Sequence, residues 1–454
     1  MILGRENELQ YLNTIYEKEG SQILVVYGQK NVGKTTLLMD FVKGKECFYY
    51  SASDNSERGQ LYLLSRACKN YQLDVPEYPE SYSVIWEKVI SLCNTKKIII
   101  LEGFEHLVKA SKDFMPALRK RMQENVGECL VILCSGSTTF VENDLVSKIG
   151  KHALSISGFL KIKELKFSDL KQYFKAYNTQ ECVILYSILG GIPGLWQYMD
   201  QSLSIRENIC QNILQKDCVL RKEGDRIVRD SLREPAVYYS ILSALAEGKN
   251  KLNDLYLHTE YSRAKISVYL KNLMELDIVS KIYSIDTPGR DNQKKGLYKI
   301  SNHFVRFWFH FIYPNVSLLQ MMKPADFYDR FIKPVLTEFC QEGYSEICRQ
   351  TMEEWSGADT IPDTFEDTGC FEGKIGRIDF VGQNEEEDYV VAFSDFSDTL
   401  LSRAKLTHYI EVIQSAKIEP SRIYLFHKNG FDEEIALWAK TKEDLILVTL
   451  EDLD

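Results

Sequence analysis

The chain has 454 residues, 44% of them apolar and 26% charged, with a formal net charge of −10. Those proportions are ordinary for a water-soluble globular protein, and the length suggests about three domains. The negative balance excludes a generic polyanion binder, and no apolar run approaches the ~20 residues that span a bilayer.

The N-terminal "MILGRENEL" carries charges at once and lacks the apolar core of a signal peptide. The 11 cysteines are scattered, with no C-x-x-C pair, and most lie in apolar runs such as "CLVILC" (129–134). They read as reduced core residues, not as a zinc site. Together these features predict a cytoplasmic protein. The charge is uneven. Residues 316–454 are acidic, with "EEED" at 385–388, while 235–315 leans basic. Such asymmetry points to one module that meets nucleic acid and another that does not.

"GRENELQYLNTIYEK" reads as a turn and an amphipathic helix. Residues 23–27 follow as a continuous apolar run, the mark of a buried parallel strand. Then come Gly28, Gln29, Lys30, Asn31, Val32, Gly33, Lys34, Thr35 and Thr36, and a helical pattern. This is G-x-x-x-x-G-K-[ST] between strand and helix, the context a phosphate loop requires. The glycines let backbone N–H groups turn toward phosphates, and the helix N-terminus adds partial positive charge. Lys34 reaches the β and γ phosphates of ATP, and the Thr35 hydroxyl takes a place on Mg²⁺. Further buried strands are predicted at 47–53, 96–102 and 128–137, so the class is α/β with a parallel sheet.

"GRENEL" (4–9), "GQKNVGKTT" (28–36), "GS" (136–137) and "LGGIPGLW" (189–196) together resemble a family. It is the P-loop ATPases noted in archaea and many bacteria, a branch of the signal-transducing STAND class related to AAA+ proteins. The resemblance implies a helical lid whose Gly-Gly-x-Pro turn meets the nucleotide. It also implies Asp-Glu at the end of the third strand, the first acid for Mg²⁺ and the second for the attacking water. Here Glu102 and Gly103 stand in those places. Glu102 can support hydrated Mg²⁺, and Glu105 is the other candidate catalytic acid. The family's Gly-Arg after the fourth strand corresponds to Gly158-Phe159. These departures predict nucleotide binding with slow or lost hydrolysis; a glutamate placed at 103 is expected to raise turnover if the rest of the site is competent, and to need Phe159→Arg beside it if Phe159 marks a second loss.

Residues 161–234 read as the helical lid. Residues 235–315 read as a winged helix-turn-helix. Helices are predicted near 236–246, at 251–259 and at 262–276, the last capped by Ser262. Two strands follow around a basic tip. DNA contact is a candidate role for residues 262–295, through Arg263, Lys265 and Lys271 on the third helix and Arg290, Lys294 and Lys295 in the wing. The aromatic "NHFVRFWFHFIYPN" (302–315) reads as packing.

Residues 316–454 resemble the family's C-terminal domain, itself similar to PD-(D/E)XK nucleases with a restriction-endonuclease-like α/β fold. Asp379 matches the first acid. The Glu-x-Lys position falls on Phe393-Ser394-Asp395. That substitution predicts a degenerate domain without nuclease activity, used to bind a protein partner.

The expected architecture is therefore a P-loop NTPase domain (1–160), a lid (161–234), a winged helix (235–315) and a degenerate nuclease-like domain (316–454). The leading expectation is an ATP-binding, STAND-like regulatory protein. The alternatives are an active ATPase coupled to DNA processing and a nucleotide-bound scaffold that never touches DNA.

Overall fold

The computed structural model describes residues 2–90, 96–124, 128–231, 234–285, 296–386 and 388–453. The chain divides into two compact units, Met1–Glu164 with Ile192–Gly194, and Leu165–Gly191 with Leu195–Asp454.

In the first unit, helix α1 (Glu6–Glu17) leads into strand β1 (Gln22–Tyr27) and helix α2 (Lys34–Phe41). Strand β2 (Cys47–Ser51), helices α3 (Glu57–Asn70) and α4 (Tyr82–Ile90), and strand β3 (Lys97–Glu102) follow. Helices α5 (Phe104–Ala110) and α6 (Phe114–Gln123), strand β4 (Cys129–Ser135), a helical segment that includes Leu145–Ile149, and strand β5 (Gly158–Lys161) complete it. The five strands are parallel in the order β2-β3-β4-β1-β5.

Side-chain alternation explains the unbroken apolar runs. Ile23, Val25, Ile99 and Leu101 enter one core with α3 to α6, and Leu24, Val26, Ile98 and Ile100 enter the other with α1 and α2. A parallel sheet covered on both faces needs apolar residues at every position. The four expected strands are all present. β5 is an addition: it is short, begins with glycine and lies at the sheet edge, so its pattern is weak.

The second unit begins with helices, among them Phe167–Tyr173, Thr179–Leu189 and Val219–Ser231. Helices Pro235–Ala246, Leu252–Thr259 and Arg263–Glu275 follow, with the antiparallel strands β6 (Val279–Ile282) and β7 (Leu297–Ile300). This is a winged helix-turn-helix. Ser262 caps the third helix by accepting from the Lys265 N–H. The aromatic stretch is core: Phe304, Phe307, Trp308, Phe309 and Phe311 are all buried.

The long helix Leu336–Gly357 then lies against a mixed sheet of β8 (Asp367–Glu372), β9 (Arg377–Gln383), β10 (Tyr389–Asp395), β11 (Pro420–His427) and β12 (Leu445–Val448). Its order is β12-β11-β10-β9-β8. Helix Arg403–Ala416 joins the parallel strands β10 and β11. One feature ties the winged helix to this sheet. Beyond β6, Ser284 bridges Cys370 of β8 in parallel, and the Ile285 N–H donates to the Cys370 carbonyl at 2.8 Å. Among the described residues no helix is long and apolar enough to cross a membrane.

Candidate nucleotide site and the C-terminal carboxylates

The phosphate loop leaves the C-terminal end of β1. Gly28, Asn31 and Gly33 have φ of +154°, +66° and +99°. A Cβ on Gly28 would lie 2.4 Å from the Ile162 carbonyl oxygen, so only glycine lets the loop pass there. Arg5, just 3% exposed, holds the loop by donating to the carbonyls of Val32 (2.9 Å) and Lys163 (2.7 Å). Gln29 donates to Glu164 at 2.6 Å. Lys30, Asn31 and Thr36 are exposed and Val32 is buried. The "IPG" turn packs on the same loop: the Gly194 N–H donates to the Asn31 carbonyl at 2.9 Å, and a Cβ on Gly194 would lie 2.6 Å from the Asn31 Cβ.

Lys34 is buried, and its ammonium donates to the carbonyls of Gly28 (2.9 Å) and Gln29 (2.8 Å). Burial pushes its pKa below the usual lysine value, while Cys134, Glu102 and Glu105 act the other way. Thr35 donates through its hydroxyl to Oε1 of Glu102 at 2.7 Å, and the Tyr49 hydroxyl donates to Oε2. The two expected metal-holding residues are thus in direct contact. Hydroxyl and carboxylate oxygens are hard donors suited to Mg²⁺, which is ordinarily bound by one or two carboxylates with phosphate oxygens and water. The donor set fits that ion.

Gly103 departs from what its absence of side chain suggests. It takes φ +67° as the first residue before α5, and a Cβ would lie 2.6 Å from the Ala52 carbonyl oxygen. A glutamate at 103 therefore meets both a left-handed backbone and a collision with the Ala52 carbonyl, so placing an acid there carries a backbone cost. Glu105 is 7% exposed in the first turn of α5. Its Oε2 is buried with no hydrogen-bond partner among the described residues. Its charge acts on Lys34 and on Cys134, whose thiol burial pushes up to about 12. Glu105 thus lies within electrostatic reach of the loop lysine. Phe159 pairs with Val25 on the edge strand and is 48% exposed. Gly28 lies three positions beyond Val25, about 10 Å of strand, which places Phe159 well back from the loop.

In the winged helix, Arg263 stacks on Tyr256 (4.1 Å) and donates to Asn253. Lys265 lies 3.9 Å from Glu234, and Lys271 lies 3.7 Å from Glu275. The helix turns Ala264, Ser267, Val268 and Lys271 to solvent. Arg290, Lys294 and Lys295 lie outside the described residues.

The carboxylates of the C-terminal sheet are already neutralised. Asp379 accepts from the Ser394 N–H and hydroxyl, both at 2.9 Å, and its other oxygen lies 3.3 Å from Nε of Arg377. The same nitrogen lies 3.3 Å from Glu372. Asp395 is bound by Lys405 and lies 3.4 Å from Nε2 of His427. Burial opposes its charge, but His427, Lys405 and the Ser397 N–H hold it below the usual carboxylate range. Phe393 is buried, stacked on Tyr409 at 4.2 Å. A cavity of about 280 Å³ opens beside Asp379, between β6, β7, the long helix and the sheet. Its acids are paired too: Glu342 with Lys299 at 3.0 Å and Glu346 with Arg349 at 2.5 Å. Among the described residues no three His, Cys, Asp or Glu side chains are grouped to hold a metal ion.

Arg5 was visible only as part of the quoted "GRENEL". Tyr49 carried no signal beyond an apolar strand pattern, and nothing in the sequence linked it to Glu102.

Residues 2–198 match the model of an ATPase domain found predominantly in archaea. Residues 240–281 match the ArsR family of bacterial regulatory proteins, and residues 308–396 match a family of archaeal and bacterial proteins of unknown function. An uncharacterised protein of Methanocaldococcus jannaschii is 26% identical over 400 residues, 85% of either chain. Among solved structures, a Walker-type ATPase of Pyrococcus abyssi has a TM-score of 0.48 at 15% identity, covering 68% of this chain and 96% of that one. The Aeropyrum pernix ORC2 protein, in ADPNP–ADP complexes, also has a TM-score of 0.48 at 15% identity, covering 70% and 94%.

Proposed function

We propose, for a chain whose residues 2–198 are a P-loop ATPase domain of the predominantly archaeal family, that it is a STAND-like regulatory protein which binds Mg·ATP and hydrolyses it slowly. The observation that supports this reading is the pairing of an intact loop with an altered acid position. Lys34, Thr35 and Glu102 are assembled, while the next residue is a glycine fixed by its backbone.

In this reading residues 28–36 hold the phosphates, Thr35 and Glu102 hold the metal, and Glu105 is the acid left to orient water. Mg²⁺ when bound neutralises charge on the β and γ phosphates. Lys34 supplies a fixed charge for the same phosphates. The division into NTPase domain, lid, winged helix and degenerate nuclease-like domain (1–160, 161–234, 235–315, 316–454) belongs to the same proposal. Nucleotide would bias these parts as a switch does. Among its described residues the C-terminal domain offers no uncompensated acid pair for cleavage, and it serves a protein partner.

A second reading, a nucleotide-bound scaffold without DNA contact, is favoured by the winged helix itself. Lys265 lies near Glu234 and Lys271 near Glu275, and the segment beyond β6 is bonded to β8. Salt-dependent binding to duplex DNA decides between the readings, since contacts to phosphates weaken steeply with salt. For the nucleotide site itself, Lys34→Ala is expected to weaken ATP binding by at least about tenfold, because a charge leaves the phosphates. Equal affinity of variant and parent by calorimetry would remove the reading.

A further inference from the structure

We infer that Tyr49 is a positioning residue of the nucleotide site: its hydroxyl fixes the carboxylate of Glu102 so that Glu102 and Thr35 together face one divalent cation. The inference rests on the Mg·ATP reading above and adds to it a residue that no motif marks.

Tyr49 stands in the middle of β2, opposite Ile100 of the neighbouring β3. Its hydroxyl donates to Oε2 of Glu102, and Thr35 of α2 donates to Oε1. Two elements thus grip the two oxygens of one carboxylate. The grip has a reason. Glu102 ends its strand, and the residue after it is a glycine with no side chain to pack on it. A glutamate also has one more rotatable bond than an aspartate, so holding it in one place costs more conformational entropy. Hydrogen bonds at both oxygens remove that freedom.

Tyr49 is itself held. Its N–H donates to the Tyr71 hydroxyl at 3.0 Å, and the Tyr71 ring lies 4.8 Å from Phe48. The chemistry of the donor matters as much as its position. A phenol orients a carboxylate by a charge-assisted hydrogen bond without cancelling its charge. The carboxylate stays attractive to a cation. Asp379, held by a guanidinium at 3.3 Å, shows the opposite case in the same chain.

The test is calorimetric binding of an ATP analogue with a non-hydrolysable β–γ bridge, in Mg²⁺ and in EDTA, by the full chain and by Tyr49→Phe. Affinity in EDTA should stay within about twofold, while the gain in affinity on adding Mg²⁺ falls about tenfold or more, the scale of one hydrogen bond to a charged group. In a Glu102→Gln background, Tyr49→Phe should add no further loss, because its effect runs through that carboxylate. An equal loss in Mg²⁺ and EDTA would make Tyr49 a fold-supporting residue and overturn the inference. So would an undiminished Mg²⁺ gain, or a further loss in the Glu102→Gln background. Failure of the parent to bind the analogue in either condition would instead remove the Mg·ATP reading, and this inference with it.

Discussion

Two carboxylate sites of this chain have met opposite fates. At the end of β3, the carboxylate of Glu102 is held by two neutral hydroxyls, those of Thr35 and Tyr49. In the C-terminal sheet, Asp379 and Asp395 are held by Arg377 and Lys405. Both sites have acids at strand positions where metal chemistry could be built. They differ in whether the surrounding donors carry charge. A carboxylate with a resident cation gains little from a divalent one, since the new ion must displace a charge already in place.

The comparison is broken most forcefully at Arg377. Its Nε lies 3.3 Å from both Glu372 and Asp379, so removing it leaves two carboxylates close together. Arg377→Met should destabilise the chain by about 2 kcal/mol, below the ~3–5 kcal/mol for breaking a fully buried pair because the side chain is partly exposed. Mn²⁺ should then raise the melting temperature of the variant but not of the parent. A variant indifferent to Mn²⁺ would show that resident charge is not what silences this site.

Gly103 sharpens the other half. Gly103 (φ +67°) and Gly20 (φ +75°) share a left-handed backbone, but only at Gly103 would a Cβ meet a carbonyl, that of Ala52. Gly20→Ala should cost about 1 kcal/mol from conformation alone. Gly103→Ala should cost about 1–2 kcal/mol more, from the added strain beside the site. Equal losses in denaturant unfolding would mean that Gly103 is a lost acid and not a backbone requirement.

A smaller effect is expected in acid. Burial opposes the charge of Glu342, yet Lys299, Arg306 and Arg377 hold its pKa at about 2, well below the ordinary glutamate value. A depressed carboxylate stabilises the folded chain above its unfolded pKa, and that stability drains away as pH falls toward 2. Glu342→Gln should therefore be less stable than the parent at pH 6, with the gap closing between about pH 4.5 and 2. A pH-independent gap, measured by urea unfolding, would assign Glu342 a packing role only.

Much of this was legible in the sequence. The phosphate loop declares itself because glycine spacing, lysine and threonine are each demanded by phosphate chemistry. β1 to β4 declare themselves because burial on both faces forces unbroken apolar runs. β5 and β12 are four-residue edge strands, and β8, also at an edge, carries a glycine and charged ends, so no period develops. The loss of Glu-x-Lys at 393–395 could be read, but not that Arg377 and Lys405 neutralise the acids, because those cations come from other positions along the chain. A missing side chain at 103 could be read, but not the φ that requires it. Tyr49 lay in an apolar run, and only the pairing of β2 with β3 brings its hydroxyl to Glu102.

In the proposed function the loop binds Mg·ATP while the altered acid position limits hydrolysis. The most direct measurement is steady-state turnover by the unmodified protein at saturating Mg·ATP. The expected rate is far below the ~10 s⁻¹ typical of enzymes. Glu105→Gln should reduce what remains by about tenfold or more with little change in affinity, as for a group that acts mainly in the transition state. Turnover near ~10 s⁻¹, abolished by Lys34→Ala and indifferent to Glu105→Gln, would contradict the proposed function.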